Sequence, residues 1–214
     1  MTPVQSDGRA LTARGRATRD RILAAAAQLV HERGVAATSL DDVRTQTGVS
    51  KSQLYHYFAD KSALVRTVVD FQVEQVLHAQ FPEDDPLDSM VALHRWRDRV
   101  IAMNEGARCA GGCPLGRLAS ELVEADPAAR SAIVAGFARW QERLARGLRT
   151  MQERGELAHD ADVEALAAGL LAAVQGGLLL GQAARSVTPL EAALDLAVQA
   201  IGSSAGEGGR RPPQ

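Results

Sequence analysis

Two short sequence signatures, each built on a serine, restrict the fold of this chain more than any other feature. Ser39 is followed three positions later by Asp42, and Ser50 is followed in the same way by Gln53. Each pair fits a capping box, in which two side chains satisfy backbone N–H groups at the start of a helix. Gly48 stands between the boxes and suits the left-handed turn that ends a helix. The spacing therefore predicts two short helices joined by a tight turn.

Longer helical patterns flank the two short helices. Before them, an apolar stripe at helical spacing ends at Gly34; its members are Ile22, Ala26, Leu29 and Val30. After them, Asp60 can cap a longer helix whose apolar positions are Leu64, Val68, Phe71 and Val76. A supporting helix followed by two short helices across a tight turn is the arrangement of a helix-turn-helix DNA-binding unit.

The second short helix is unusually aromatic. The stretch "SKSQLYHYF", residues 50–58, holds both tyrosines of a chain in which aromatic residues make up only 4% of 214 positions. At about 100° per residue, Leu54 and Phe58 face inward, and Val49 lies just ahead of them. Ser52, Gln53 and His56 point away from that side, and Lys51, Tyr55 and Tyr57 flank the two faces. These polar groups suit DNA phosphates and base edges, although a small helical core with an aromatic edge is the alternative interpretation.

Charge is distributed unevenly along the chain. The net charge is −2, but residues 1–70 carry ten Lys/Arg against seven Asp/Glu, and the rest carry fourteen against nineteen. Five arginines lie within the first 21 positions: Arg9, Arg14, Arg16, Arg19 and Arg21. The N-terminal end is therefore the one suited to a polyanion, and a solvated disordered arm explains the arginines equally well. With two cysteines and no apolar run at the start, we expect a cytoplasmic protein without a disulfide framework.

The stretch "TGVSKSQLYHYFADKSAL" resembles the recognition segment of the TetR family of bacterial one-component repressors, whose usual form runs G-V-S-K-x-x-L-Y-x-x-F-x-x-K-x-x-L. The matching residues are Gly48, Val49, Ser50, Lys51, Leu54, Tyr55, Phe58, Lys61 and Leu64. The resemblance extends from about residue 16 to 70. It implies phosphate contacts from Ser39, Ser50, Lys51, Tyr55, Tyr57 and Lys61, and base contacts from Ser52, Gln53 and His56. The order His56 then Tyr57 departs from the aromatic–histidine order that is more frequent in the family.

The remaining chain predicts five more helices, over about 86–105, 114–125, 127–154, 161–185 and 189–202, the first and last begun by Pro86 and Pro189. Residues 165–184 contain no charge, but four glycines and two glutamines speak against a membrane span. A helix that is apolar on every side must be buried on every side, so we expect a partner subunit to pack against it. The resemblance also implies a two-fold four-helix interface formed by this helix and the one over 189–202. The expected interface residues are Leu170, Val174, Gly177, Leu178, Gly181, Leu194 and Val198. An internal core helix of a monomer is the alternative.

Large side chains in these helices predict a ligand pocket. The candidate lining residues are Trp96, Met103, Cys113, Phe137 and Trp140, with His94, Gln141 and Gln175 as polar anchors. Taken singly, each is more simply explained by core packing. Taken together, they suit a small apolar or aromatic molecule.

The segment "ARCAGGCPLGRLASEL" holds both cysteines. Three residues separate Cys109 from Cys113, and no second Cys or His pair at zinc spacing accompanies them, so a metal site is not expected. A redox switch is conceivable because Gly111 and Gly112 would let the loop close, but packing is the simpler interpretation. "GCPLGRLASEL" also resembles the TetR-like branch related to the LmrA and YxaF repressors, some of which respond to planar aromatic compounds.

The sequence thus predicts an all-α chain. We expect a disordered basic arm (1–15), a helix-turn-helix domain (16–62), a ligand-binding and dimerisation domain (63–202) and a disordered tail (203–214). No catalytic Ser-His-Asp, paired-carboxylate or phosphate-loop signature is present, so neither an enzyme nor a cofactor is expected. The expected function is a homodimeric regulator, a repressor released from operator DNA by a small apolar or aromatic molecule. The alternative is a thiol-based redox-sensing repressor that uses Cys109 and Cys113.

Overall fold

The computed structural model describes residues 11–204, and over this range the chain forms nine α-helices and no β-strand. The helices are α1 (Ala13–Arg33), α2 (Leu40–Thr47), α3 (Lys51–Tyr57), α4 (Lys61–Gln80), α5 (Met90–Gly106), α6 (Pro114–Leu122), α7 (Pro127–Glu153), α8 (Val163–Ala184) and α9 (Thr188–Ser203). The predicted all-α class and the helix-turn-helix unit are therefore confirmed.

Side-chain caps set the starts of the N-terminal helices, as the sequence predicts. Both capping boxes form, at Ser39 with Asp42 and at Ser50 with Gln53. Gly48 ends α2 in the left-handed conformation, with φ of 68°, which a residue with a Cβ adopts less readily. The Ala63 N–H donates to Asp60 Oδ1 at 2.7 Å at the start of α4. Local hydrogen-bonding chemistry therefore accounts for these boundaries.

Three predicted boundaries need correction. The expected arm of residues 1–15 overlaps α1, which begins at Ala13 because Thr12 Oγ1 accepts a hydrogen bond from the Gly15 N–H. The fifth helix begins at Met90 rather than Pro86, because Ser89 caps it by accepting from the Ala92 N–H. The expected tail overlaps α9, which runs through Ser203. Residues 1–10 and 205–214, which hold the rest of the expected arm and tail, lie outside the described residues.

The chain divides into two compact units. The first combines the described residues up to Glu74 with Pro114–Gly136, and the second combines Gln75–Cys113 with the described residues from Phe137 onward. The first unit thus includes α6, whereas the sequence placed everything after residue 62 in a second domain. The reason is packing within this unit: the apolar face of α6 (Leu115, Leu118 and Leu122) is buried, and a Cβ at Gly136 on α7 would lie 3.4 Å from Leu115 Cδ2 and 2.6 Å from Val73 Cγ2 on α4.

In the second unit, α8 and α9 pack closely along each other. Gly177 allows this approach, because a Cβ there would lie 2.7 Å from Leu190 Cα. Six of the seven expected interface positions are buried within the chain itself: Leu170, Val174, Gly177, Gly181, Leu194 and Val198. Leu178 is half-buried. Burial on α8 and α9 leaves these six positions little surface for a partner subunit, and their assignment to an interface stays a prediction.

Among the described helices, α8 alone is long and apolar enough to cross a membrane by length and composition. Core helices and interface helices of soluble proteins meet the same criteria, so this property is weak grounds for a membrane span.

Candidate nucleic-acid interface

Helix α3 separates a buried side from an exposed polar side. Leu54 and Phe58, together with Val49 before the helix, are buried in the core of the first unit. Ser52, Gln53 and His56 are exposed, as are Lys51 and Tyr55, whereas Tyr57 is half-buried. The predicted orientation of the helix is therefore confirmed, and three polar side chains stand together on its outer face.

One residue of this outer face, Gln53, also belongs to the helix cap. The Ser50 N–H donates to Gln53 Oε1 at 2.9 Å, and the Gln53 N–H donates to Ser50 Oγ at 3.2 Å. The hydroxyls of Ser50 and Ser52 lie 3.0 Å apart and share a hydrogen bond. The side-chain oxygen of Gln53, Oε1, therefore already accepts a hydrogen bond from the helix cap. The side-chain nitrogen, Nε2, can donate to an acceptor on a base edge.

Aromatic side chains in α3 and directly after it lie close to charged and aromatic neighbours. Lys51 Nζ lies 6.0 Å from the centroid of the Tyr55 ring, at the outer limit of a cation–π contact. The rings of His56 and Tyr57 meet edge to face at 5.1 Å. The guanidinium of Arg19, from α1, lies 5.8 Å from the Phe58 ring. Cations thus lie against ring faces on two sides of this helix.

A groove of about 490 Å³ brings four of the predicted DNA-contacting residues together: Ser39, Lys51, Tyr55 and Lys61 all line it. Lys61 Nζ donates to the Ala36 carbonyl at 3.5 Å, so this ammonium is held beside the turn that precedes α2. Two ammonium groups, a phenol and a hydroxyl on one groove are a set that suits the phosphate backbone.

Sequence reasoning missed Arg44, which lines the same groove. Its Nε donates to Asp41 Oδ1 at 2.8 Å, and the two side chains are one helical turn apart on α2. The opposite charges of Asp41 and Arg44 at positions i and i+3 could have been recognised in the sequence. Arg44 was missed because it lies on α2, outside the motif that identified α3.

Ser39 is committed to its own capping box. Its N–H and its hydroxyl both donate to Asp42 Oδ2. These hydrogen bonds, the hydroxyl first, lower the pKa of the Asp42 carboxyl below its usual value, so Asp42 carries its charge here. A phosphate contact from Ser39 stays a prediction, and it would compete with these bonds.

A contact distant in sequence anchors the turn between α1 and α2. The Val35 N–H donates to Glu121 Oε2, on α6, at 2.6 Å. Gly34 has φ of 87°, and a Cβ there would lie 2.8 Å from Glu121 Oε1, so only glycine accommodates both the backbone and the carboxylate. Arg117 Nε lies 3.5 Å from Glu121 Oε1. No local motif signals this contact, because 86 positions separate its partners.

The predicted ligand-binding residues all belong to the second unit, with different exposures. Trp96, Trp140 and Cys113 are buried, and Phe137, Gln141 and Gln175 are half-buried. Met103 and His94 are exposed. Because a polar anchor of a buried pocket must be shielded from water, the exposure of His94 argues against that role.

The cysteine segment has an unusual backbone. Arg108 and Cys109 both adopt positive φ, at 54° and 52°, although neither is glycine. The Asn104 amide nitrogen donates to the Cys109 sulfur at 3.5 Å, and Cys109 and Cys113 are both buried thiols. Within residues 11–204, no group of three or more His, Cys, Asp or Glu side chains is arranged to hold a metal ion.

A capped helix-turn-helix that exposes a polar helix beside a cationic groove defines a DNA-binding regulator. The family model described as "Bacterial regulatory proteins, tetR family" matches residues 22–68, and "Tetracyclin repressor-like, C-terminal domain" matches residues 90–197. Because the second model alone covers half of the chain, the protein belongs to the TetR family. It is a DNA-binding transcriptional regulator and not an enzyme.

Relatives and solved structures agree with this assignment. The chain is 28% identical over 191 residues to an HTH-type transcriptional regulator from the lacX 3' region of Lactococcus lactis, which covers 85% of this chain and 91% of the relative. It is 29% identical over 184 residues to the HTH-type regulator YxaF of Bacillus subtilis, with 84% and 92% covered. A TetR transcriptional regulator from Chloroflexus aurantiacus superposes with a TM-score of 0.76 at 26% identity, covering 89% of this chain and 96% of that structure.

Proposed function

We propose that this TetR-family regulator is a cytoplasmic homodimeric repressor that binds an operator through α3 and leaves it when a small aromatic molecule binds its second unit. The exposed polar face of α3, formed by Ser52, Gln53 and His56, carries the proposal. Each subunit would insert this helix in a major groove, with half-sites about one helical turn apart, roughly 34–36 Å. Residues that line the 490 Å³ groove would bind the phosphates on either side.

The exposed side of α8 and α9 supports a dimer. Its apolar positions follow helical spacing and include Ala172, Gly176, Leu179 and Leu180 on α8 and Leu196 on α9. Leu179 and Leu196 are 66% and 69% exposed, which is unusual for leucine unless another surface covers it. We therefore assign the subunit interface to this face of the two helices, in place of the residues on their buried sides.

Release by a ligand requires that the ligand bind the DNA-free conformation more tightly than the DNA-bound one. A coupling of about 1–3 kcal/mol is typical and corresponds to roughly 5–150-fold in operator affinity. The buried aromatic side chains Trp96 and Trp140 support a ligand with an aromatic surface.

A thiol-based response is the second candidate function. The positive φ at Arg108 and Cys109 and the hydrogen bond from Asn104 to the Cys109 sulfur favour it, because strained backbone and a donor to sulfur accompany reactive thiols. Burial of both sulfurs opposes it. In the redox case, mild oxidant releases the wild type from DNA and spares the Cys109→Ser/Cys113→Ser variant; in the ligand case, neither protein responds to oxidant.

A mobility-shift assay with fragments of the neighbouring promoters tests the proposed function. We expect specific binding to at least one fragment, and Lys61→Ala should weaken binding to specific and random DNA alike and lower the salt slope by about one. Arg146→Ala, which removes an exposed arginine of the second unit, is the matched control and should change neither quantity. Binding that has no preference among fragments, or an unchanged salt slope in Lys61→Ala, would contradict the assignment.

A further inference from the structure

Both tryptophans of the chain belong to the second unit, and both are buried. The Trp96 ring stacks on the Phe81 ring, with centroids 6.2 Å apart and an interplanar angle of 17°. The guanidinium of Arg143 lies 5.7 Å from the centroid of the same Phe81 ring. Trp140 precedes Arg143 by three residues on α7 and so shares its side of that helix. We call Gln80, Phe81, Trp96, Trp140 and Arg143 the tryptophan cluster.

The tryptophan cluster contains buried polar atoms that have no hydrogen-bond partner among residues 11–204. They are Trp96 Nε1, Trp140 Nε1 and Gln80 Oε1, and their residues are 1%, 2% and 4% exposed. Gln175 Nε2, on α8 of the same unit, is a further donor without a partner among those residues. Folded proteins pair nearly all such groups, because an unpaired one loses its bonds to water without replacement.

The chemistry of these atoms restricts what can pair them. Indole nitrogens only donate hydrogen bonds, so Trp96 and Trp140 require acceptor atoms. The guanidinium of Arg143, beside the Phe81 ring, adds a positive charge. The rings of Phe81 and of the tryptophans offer flat apolar surfaces. A hydrocarbon or a cation would leave the indole N–H groups unpaired.

We propose that the ligand of this regulator is an aromatic molecule with oxygen hydrogen-bond acceptors, a carbonyl or a carboxylate, that are bound by the indole N–H groups of Trp96 and Trp140. This inference rests on the proposed ligand-responsive function and specifies the ligand's chemistry. Hydrogen-bond donors in a buried site discriminate strongly against an analogue that lacks the acceptor. Oxygen acceptors would therefore decide which aromatic molecules bind.

Equilibrium dialysis of the full-length wild type, without DNA, tests the proposal with probes that share a carbon frame. The first set is indane, 1-indanone and indane-1-carboxylate, and the second is diphenylmethane and benzophenone. We expect at least one oxygenated probe to bind about tenfold or more tightly than the hydrocarbon of its frame, the ketones if the acceptor is neutral and the carboxylate if Arg143 takes part. If every oxygenated probe binds no better than its hydrocarbon, or if no probe binds, the proposal is wrong.

Two further measurements locate the bound oxygen. Because the chain has two tryptophans, its ¹H–¹⁵N spectrum contains two indole N–H signals, and the preferred probe should move at least one of them downfield. Trp96→Phe and Trp140→Phe keep a ring but remove the donor, so one or both should lose most of the oxygen preference while hydrocarbon affinity changes less than about twofold. Ser203→Ala, which removes an exposed hydroxyl from α9 of the same unit, is the control and should keep the preference.

These experiments can contradict the proposed ligand chemistry without contradicting the proposed repressor function, and the reverse. Indole signals that stay fixed, or an oxygen preference that survives in both tryptophan variants, would remove the tryptophans from the site even if operator binding is established. Oxygen-selective binding with no operator found would leave the ligand chemistry standing and contradict the repressor function instead.

Discussion

Gln53 combines two roles, one in capping α3 and one in the proposed contact with DNA bases. Its carbonyl oxygen accepts from the Ser50 N–H and helps to start α3, and its side chain stands on the face assigned to base contacts. A substitution to alanine therefore removes a cap and a candidate base contact together. Glutamate at this position would keep the capping role and remove the base contact, because a carboxylate also accepts in a capping box but has no amide donor.

For Gln53→Glu, we expect a thermal unfolding midpoint close to that of the wild type and a changed operator preference. For Gln53→Ala, both should change, with roughly 0.5–2 kcal/mol of stability lost, as for other N-terminal cap groups. Calorimetry combined with binding to a panel of single-base operator variants measures both properties. If Gln53→Glu keeps the wild-type preference at every base pair, Gln53 does not contact a base.

His31 gives the first unit a pH-dependent stability. Burial, and next the charge of Arg117, lower the pKa of His31 below its usual value of 6.5, while Glu32 acts in the opposite direction. The unfolded chain therefore binds a proton near pH 6.5, and the folded chain binds it only at lower pH. The contribution of neutral His31 to stability is complete above pH 6.5 and is lost as the pH falls from there toward the lowered pKa.

We therefore expect His31→Gln to reduce the fall in unfolding midpoint between about pH 7.5 and pH 5.5, compared with the wild type. His78→Gln, at an exposed position of α4, is the control and should behave as the wild type. The comparison requires a constant protein concentration, because a dimer's midpoint depends on it. Equal falls in wild type and His31→Gln would show that another group governs this pH range.

At the scale of elements, one side chain of α6 connects this helix to the turn between α1 and α2. Glu121 binds the Val35 N–H and fits against Gly34, at the turn that leads into α2. A shift of α6 would therefore move this carboxylate relative to the start of the helix-turn-helix. Such a contact can bias the position of the two short helices without touching DNA.

Glu121→Ala should lower the free energy of unfolding by roughly 1.5 kcal/mol, the lower end expected for a hydrogen bond to a charged group, because the side chain remains 27% exposed. Amide exchange at Val35 should become faster. Glu121→Gln keeps an acceptor and should lose less on both measures. Unchanged exchange at Val35 in Glu121→Ala would show that this hydrogen bond does not form in solution.

The sequence predicted those parts of the structure that depend only on interactions between residues close together in the chain. Both capping boxes, the glycine turn at Gly48 and the buried side of α3 depend on residues within one or two helical turns, and all of them form as predicted. Contacts distant in sequence were not readable, as Glu121 and Val35 illustrate. For α8, apolar residues cover every side, so periodicity does not indicate which side packs on α9. Periodicity alone therefore could not choose the side of α8 that carries a subunit interface.

At the scale of the whole molecule, we expect substitutions on the exposed side of α8 and on its buried side to have different effects on dimerisation and stability. Leu179→Glu/Leu196→Glu places charges on the exposed side and should produce a folded monomer that binds operator DNA far more weakly. Gly177→Leu instead forces a side chain into Leu190 and should destabilise the second unit itself. Sedimentation with circular dichroism distinguishes these results. An intact dimer in the double glutamate variant would place the interface elsewhere.

The central claim is that two copies of α3 read an operator across a two-fold axis, and selection of bound sequences from random DNA tests it most directly. We predict enrichment of an inverted repeat, with half-sites separated by about one helical turn or somewhat more and with positions whose base preference changes in Gln53→Glu. Enrichment of no sequence, or of a sequence without two-fold symmetry that Gln53→Glu selects equally, would contradict the claim.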